Sequence, residues 1–178
     1  MNYLAVALSL SLLSSPLFSQ EAKPDDSMKD CPMHAQHMAQ AHHEVVESHG
    51  DQAMGFPHDK TTHHFRMAPD GGAIEVSVND PNDKINAEAI RSHLSHIATM
   101  FGNGDFSTPM FVHDGIPPGV TTMKLLKSVI HYNYEEMPSG GRVRIQSADA
   151  VAVAAIHDFL RFQITDHQTG DSLAVEQK

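Results

Sequence analysis

Residues 31–43, CPMHAQHMAQAHH, set Cys31, Met33, His34, His37, Met38, His42 and His43 in one polar stretch. Thiolate and thioether sulfur select Cu(I), while imidazole also accepts Cu(II), zinc and nickel. His34 and His37 stand at i, i+3, and Met38 and His42 at i, i+4, so a helix would turn each pair to one side. A second group lies in NAEAIRSHLSHIATMF, residues 86–101, where His93, His96 and Met100 form a stripe beside the apolar face of Ile90, Leu94, Ile97 and Phe101. That is the spacing two or three ligands of one soft ion require. A third group is TTHHF, residues 61–65: side chains alternate along a strand, so His63 shares the core-facing side with Phe65 and His64 points the other way. The loop PMFVHD adds Met110, His113 and Asp114. The expectation is a folded site in which His63 converges with His93 and His96, joined by His64, Met100 or His113. Cys31, Met33, His34 and His37 would capture the ion first. Copper is the expected metal, with zinc or nickel as alternatives. His131, His157 and His167 are lesser candidates, His131 and His157 reading as surface residues, and His58 with Asp59 stands close enough in sequence to join the capture stretch.

The run Cys31-Pro32-Met33-His34 resembles the opening of the short heavy-metal-binding module of copper and silver efflux components, whose signature begins Cys-Pro-Met-His-Pro. Here Ala35 stands at the next position and no second cysteine pair follows, so the resemblance implies a metal and not a fold. The arrangement of HHF and PDGG ahead of a His-x-x-His helix is similar to small secreted, His-rich bacterial proteins, a likeness that brings no activity with it.

The 178 residues carry 12 Lys and Arg against 22 Asp and Glu, a formal charge of −10, with 14 histidines in addition. Nucleic acids and anionic membranes reward clustered cations, so this balance disfavours both and suits a positively charged ligand. One cysteine excludes an internal disulfide. The apolar run Leu4–Leu13, followed by Pro16 and small residues, resembles a secretory signal and is short for a membrane span. The expected organisation is therefore a signal peptide over residues 1–20, a flexible His/Met-rich tail over 21–55, a domain over 56–170 and a C-terminal tail over 171–178. The location is periplasmic or secreted. The expected partners are a metal ion and a metal-efflux or metal-receiving protein.

The domain must position these side chains, and its second half echoes its first. HHFRMAPDGGAIEVSV (63–78) and YNYEEMPSGGRVRIQS (132–147) both read as strand, Pro-x-Gly-Gly turn, strand, with the glycines supplying the positive φ of the turn. Helices are expected over 86–101 and 147–167, with a further short one over 120–130. The fold class is α+β: a two-layer sandwich in which two hairpins make one antiparallel sheet with helices on one face, from a duplicated ββα unit. Within such a unit, His63 would meet the helix that follows it. The eighteen residues from Gly102 to Gly119 are expected to form a loop packed over the site.

The chain has no C-x-x-C-H, H-E-x-x-H, Gly-rich phosphate loop or G-x-S-x-G motif. The function these residues favour is metal buffering, delivery or resistance. A metal-dependent enzyme is the alternative, with three histidines, an open position and Asp59, Asp105 or Asp114 as acid or base. A partner-binding module with an incidental His-rich tail is the second alternative.

Overall fold

The computed structural model describes residues 32–176. The expected signal peptide and Cys31 lie outside the described residues, as does the side chain of His34. The helices are α1 (Pro32–Met54), α2 (Lys84–Gly102), α3 (Ser107–Val112), α4 (Val120–Leu125) and α5 (Ala150–Asp166), and the strands are β1 (Thr61–Ala68), β2 (Gly71–Val78), β3 (Ile130–Met137) and β4 (Gly140–Ser147). The four strands form one open antiparallel sheet in the order β1-β2-β4-β3. The chain is α+β, as its sequence indicates.

The two hairpins join through their second strands. Ile74 pairs with Val143, its own counterpart in the other half, so β2 and β4 meet about a local two-fold axis. All four strands are of equal length, and the second pair follows the first at one constant offset. The paired glycines do not make the turns, contrary to the sequence-based expectation. The reversals are Pro69-Asp70 and Pro138-Ser139, the glycines open the next strand, and of these four only Gly71 has a positive φ, 137°. The reason is close approach. A Cβ on Gly72 would lie 2.2 Å from Leu160 Cδ1 of α5, and one on Gly141 would lie 3.3 Å from Leu94 Cδ1 of α2.

Those contacts reveal a crossing that the sequence conceals. Helix α2 follows the first hairpin but lies chiefly over β3 and β4, while α5 follows the second hairpin and lies over β1 and β2. Each helix is started by an aspartate: Asp83 accepts from the Asn86 backbone N–H, and Asp149 from those of Val151 and Ala152. Their inner faces bury Ile90, Leu94, Ile97 and Phe101 on α2, and Ile156, Phe159, Leu160 and Ile164 on α5. An aromatic cluster of Phe101, Phe106, Tyr132 and Phe159 fills the second half of the core.

Residues 32–54, expected to be a flexible tail, form helix α1 and dock on the domain. Val46 is buried, Gly50 is buried beside it, and the His49 ring stacks on Phe111 with centroids 4.8 Å apart. The helix ends where Gly55 takes φ 77° and its N–H returns to the Asp51 carbonyl. Phe56 then inserts fully into the core. The long segment after α2 contains α3 and packs by Phe106, Pro109 and Val112. No helix among the described residues is long and apolar enough to cross a membrane.

Replacing Gly72 by Ala should destabilise the fold by about 2–3 kcal/mol, since the new methyl meets the Arg66 carbonyl oxygen at 2.3 Å as well as Leu160. Gly55→Ala, which meets nothing within 4 Å and bears only the cost of φ 77°, should lose about 1 kcal/mol. Urea unfolding of both variants measures the contrast.

Candidate metal centre

The crossing of the helices decides which histidines meet. His63, on the core side of the edge strand β1, is covered by the end of α5, so its ring lies parallel to that of His167 at 6.2 Å between centroids. Phe56 wedges beside it, 6.4 Å from His63 and edge-on to His93 at 5.7 Å. His113, at the end of α3, closes the far side with its ring 5.0 Å from His167. Met54, the last residue of α1, places Sδ 3.2 Å from His63 Nε2. Met54, His63, His93, His113 and His167 all line one cavity of about 80 Å3 whose remaining wall is mostly apolar, with Thr108 and Gln163 as its other polar residues. Five separate parts of the chain thus each bring one imidazole or thioether side chain to its wall.

The residues proposed from sequence divide accordingly. His63, His93 and His113 line the cavity; His96 is exposed on α2 and does not. Met100 packs against the core, where its sulfur accepts from Thr108 Oγ1 at 3.8 Å. His64 faces the open side of the sheet and is tied to Asp171 at 2.8 Å. Met33 and His37 are exposed on the first turns of α1. His157, read as a solvated residue, instead reaches the carbonyls of Ala68 and Gly71 at 2.9 and 3.0 Å with Nε2 and so braces the first hairpin. His131 is exposed, as expected.

Met54 and His167 were the residues sequence reasoning missed as site members. Met54 ends an amphipathic stretch whose register was unreadable without its partner surface, and His167 stands one residue beyond α5. The retrievable signal was Phe56: a lone large apolar residue just after the polar stretch must be buried, and it carries Met54 inward with it.

Electrostatics keep three of the imidazoles uncharged. Burial, followed by the repulsion of His93, His64 and His58, lowers His63 to about 4. Burial, then His96, lowers His93 to about 4, and burial, then His113 and His63, lowers His167 to about 3. Neutral imidazole is the form that offers a lone pair to a metal. Around His113 the bonding differs. Its Nδ1 lies 2.5 Å from Asp166 Oδ2 and its Nε2 3.1 Å from Gln163 Oε1, while the second oxygen of Asp166 takes His42 of α1 at 2.9 Å. Both ring nitrogens of His113 are thus engaged, one by the Asp166 carboxylate and one by Gln163, which fixes the orientation of the ring at the cavity wall. The buried Gln163 Nε2 has no partner among the described residues. Among the described residues no three His, Cys, Asp or Glu side chains are disposed as ligands of one ion, and the Met54–His63 contact joins imidazole with thioether.

The lowered histidines also set the acid response of the ion-free chain. Between about pH 6.5 and 4 the unfolded chain binds protons that folded His63 and His93 refuse, so their contribution to stability is complete above pH 6.5 and is lost as the pH falls through about 4. One imidazole lowered by that much forfeits on the order of 3 kcal/mol once protonated in the fold. Urea midpoints should therefore drop steeply from pH 7 to 4.5, and His167→Phe should flatten the slope.

Comparison with known proteins finds no matching family model, no matching curated protein and no matching solved structure.

Proposed function

We propose that the chain binds a transition metal, copper foremost, and serves metal buffering, delivery or resistance in the periplasm or outside the cell. The observation that carries the reading is the contact of Met54 Sδ with His63 Nε2 at 3.2 Å, at the wall of a cavity lined by further uncharged imidazoles. Two ligands at about 2.0 Å (nitrogen) and 2.3 Å (sulfur) from one ion, with an angle near 95° between them, stand this far apart. Thioether with imidazole favours Cu(I) over zinc or nickel, and Cu(I) accepts two or three donors. His167 and His93 line the same cavity without completing a three-histidine ligand set. His113 stands behind them with its ring held by Asp166. The exposed Met33 and His37 of α1, with Cys31 and His34 before and beside them, supply the capture stretch, and the resemblance of CPMH to a copper and silver module points to the same chemistry. The exported setting rests on the leader-like run Leu4–Leu13.

The metal-dependent enzyme draws support from one feature, His113 on the wall of the same cavity with Asp166 on its Nδ1. A catalytic ion there would hold an exchangeable water, while a delivery site would fill its positions with His and Met.

Anaerobic titration of the purified chain with Cu(I) against a chromophoric competitor tests the reading. The expected result is one ion in the folded pocket, with weaker binding at the capture stretch. Met54→Leu combined with His63→Ala should weaken the pocket ion by at least about 100-fold. Binding no tighter than a Kd of about 10 μM in the wild-type chain would sink the proposal.

A further inference from the structure

Helix α1 carries a second line of donors that the pocket does not use. His43 and Glu47 stand one turn apart, with His43 Nε2 3.2 Å from Glu47 Oε1. The other oxygen of Glu47 faces His58 Nε2 at 3.5 Å. Asp51, one turn further, accepts from the His58 backbone N–H at 2.6 Å and holds its Nδ1 at 3.0 Å, so the ring is fixed with Nε2 turned towards Glu47. His43 Nδ1 is buried and has no partner among the described residues. One carboxylate therefore has an imidazole at each oxygen, and each pair has the separation of two ligands about 2.1 Å from a common ion at about 100–115°.

His43, Glu47 and His58 line a cavity of about 200 Å3 that is open to solvent. Its lining also includes Met54, His63 and His167. The last three also line the inner pocket, so the His63–Met54 pair borders both cavities. Gly50, common to both, leaves the helix surface bare at the junction.

We propose that this outer cavity is the port by which the cation reaches the inner pocket, with Glu47 as the group that catches it and His58 as the group that passes it on. The proposal rests on the metal-binding function inferred above. Donors change along the path from carboxylate and imidazole to imidazole and thioether, so a soft ion gains affinity as it moves inward. Each seat needs only a pair of donors, and the ion exchanges one ligand at a time. Glu47 and Asp51 also concentrate the field of a chain whose formal charge is −10 at one opening.

The test uses the full chain with Cys31→Ser, Met33→Leu, His34→Gln and His37→Gln, so that the pocket alone reports. Stopped-flow loading with Cu(I) from a weak chromophoric complex is followed at several salt concentrations. Adding Glu47→Gln should slow loading about tenfold and remove most of its salt dependence. The equilibrium affinity should stay within about threefold, because Glu47 does not touch the inner pair. His58→Gln should slow loading likewise, and the two variants keep the test independent of either substitution's effect on folding. Loading of both variants at the parent rate would overturn the port. So would an affinity loss carried by faster release, which would make Glu47 a ligand of the bound ion. If the parent takes up no copper, the metal-binding function falls and the port falls with it.

Discussion

Two reciprocal contacts govern the architecture: Leu160 of α5 settles on Gly72 of β2, and Leu94 of α2 settles near Gly141 of β4. The two leucines occupy matching places in their helices, and the two glycines matching places in their strands. With Ile74 paired to Val143 at the centre, these contacts oblige each helix to cover the opposite hairpin. Each half buries most of the other's sheet and only the inner strand of its own. The arrangement makes the two halves interdependent, and it places the end of α5 over β1, where His63 waits.

The near-symmetry also exposes what is specific to one half. His63 corresponds to Tyr132, which packs against Phe101 and Phe106 in the aromatic part of the core. Where the second half fills its volume with rings that need no partner but each other, the first half admits Met54, His93, His113 and His167. Histidine in an interior costs desolvation, visible in the lowered basicity of His63, His93 and His167. A fold that needed only volume there would be better served by the phenylalanines it uses elsewhere.

Much of this was legible in the residues. Alternation and glycine pairs gave the hairpins, and apolar spacing gave α2 and α5 to within a few residues at each end. His63, His93 and His113 were legible as chemistry-bearing positions because their neighbours Phe65, Leu94 and Val112 are so plainly buried. Three things were not legible, and for one physical reason. The crossing of the helices, the docking of α1 and the membership of Met54 and His167 are set by long-range packing. A period of two or of 3.6 reports which face is apolar, not which surface receives it. His96 shows the cost of that gap: it lies one turn from His93, yet the receiving hairpin leaves it in solvent.

The segment after α5 has a consequence of its own. Asp171 takes the backbone N–H of Phe65 and the ring of His64, and the Glu176 N–H meets the Met67 carbonyl. The outer rim of β1 is thereby occupied, while the opposite rim, β3, shows His131, Asn133 and Glu136 to solvent. An open sheet ordinarily invites strand-to-strand stacking of copies. In this chain one rim is clasped by its own terminus and the other is guarded by polar side chains, so crowding would not readily draw the molecules into fibres.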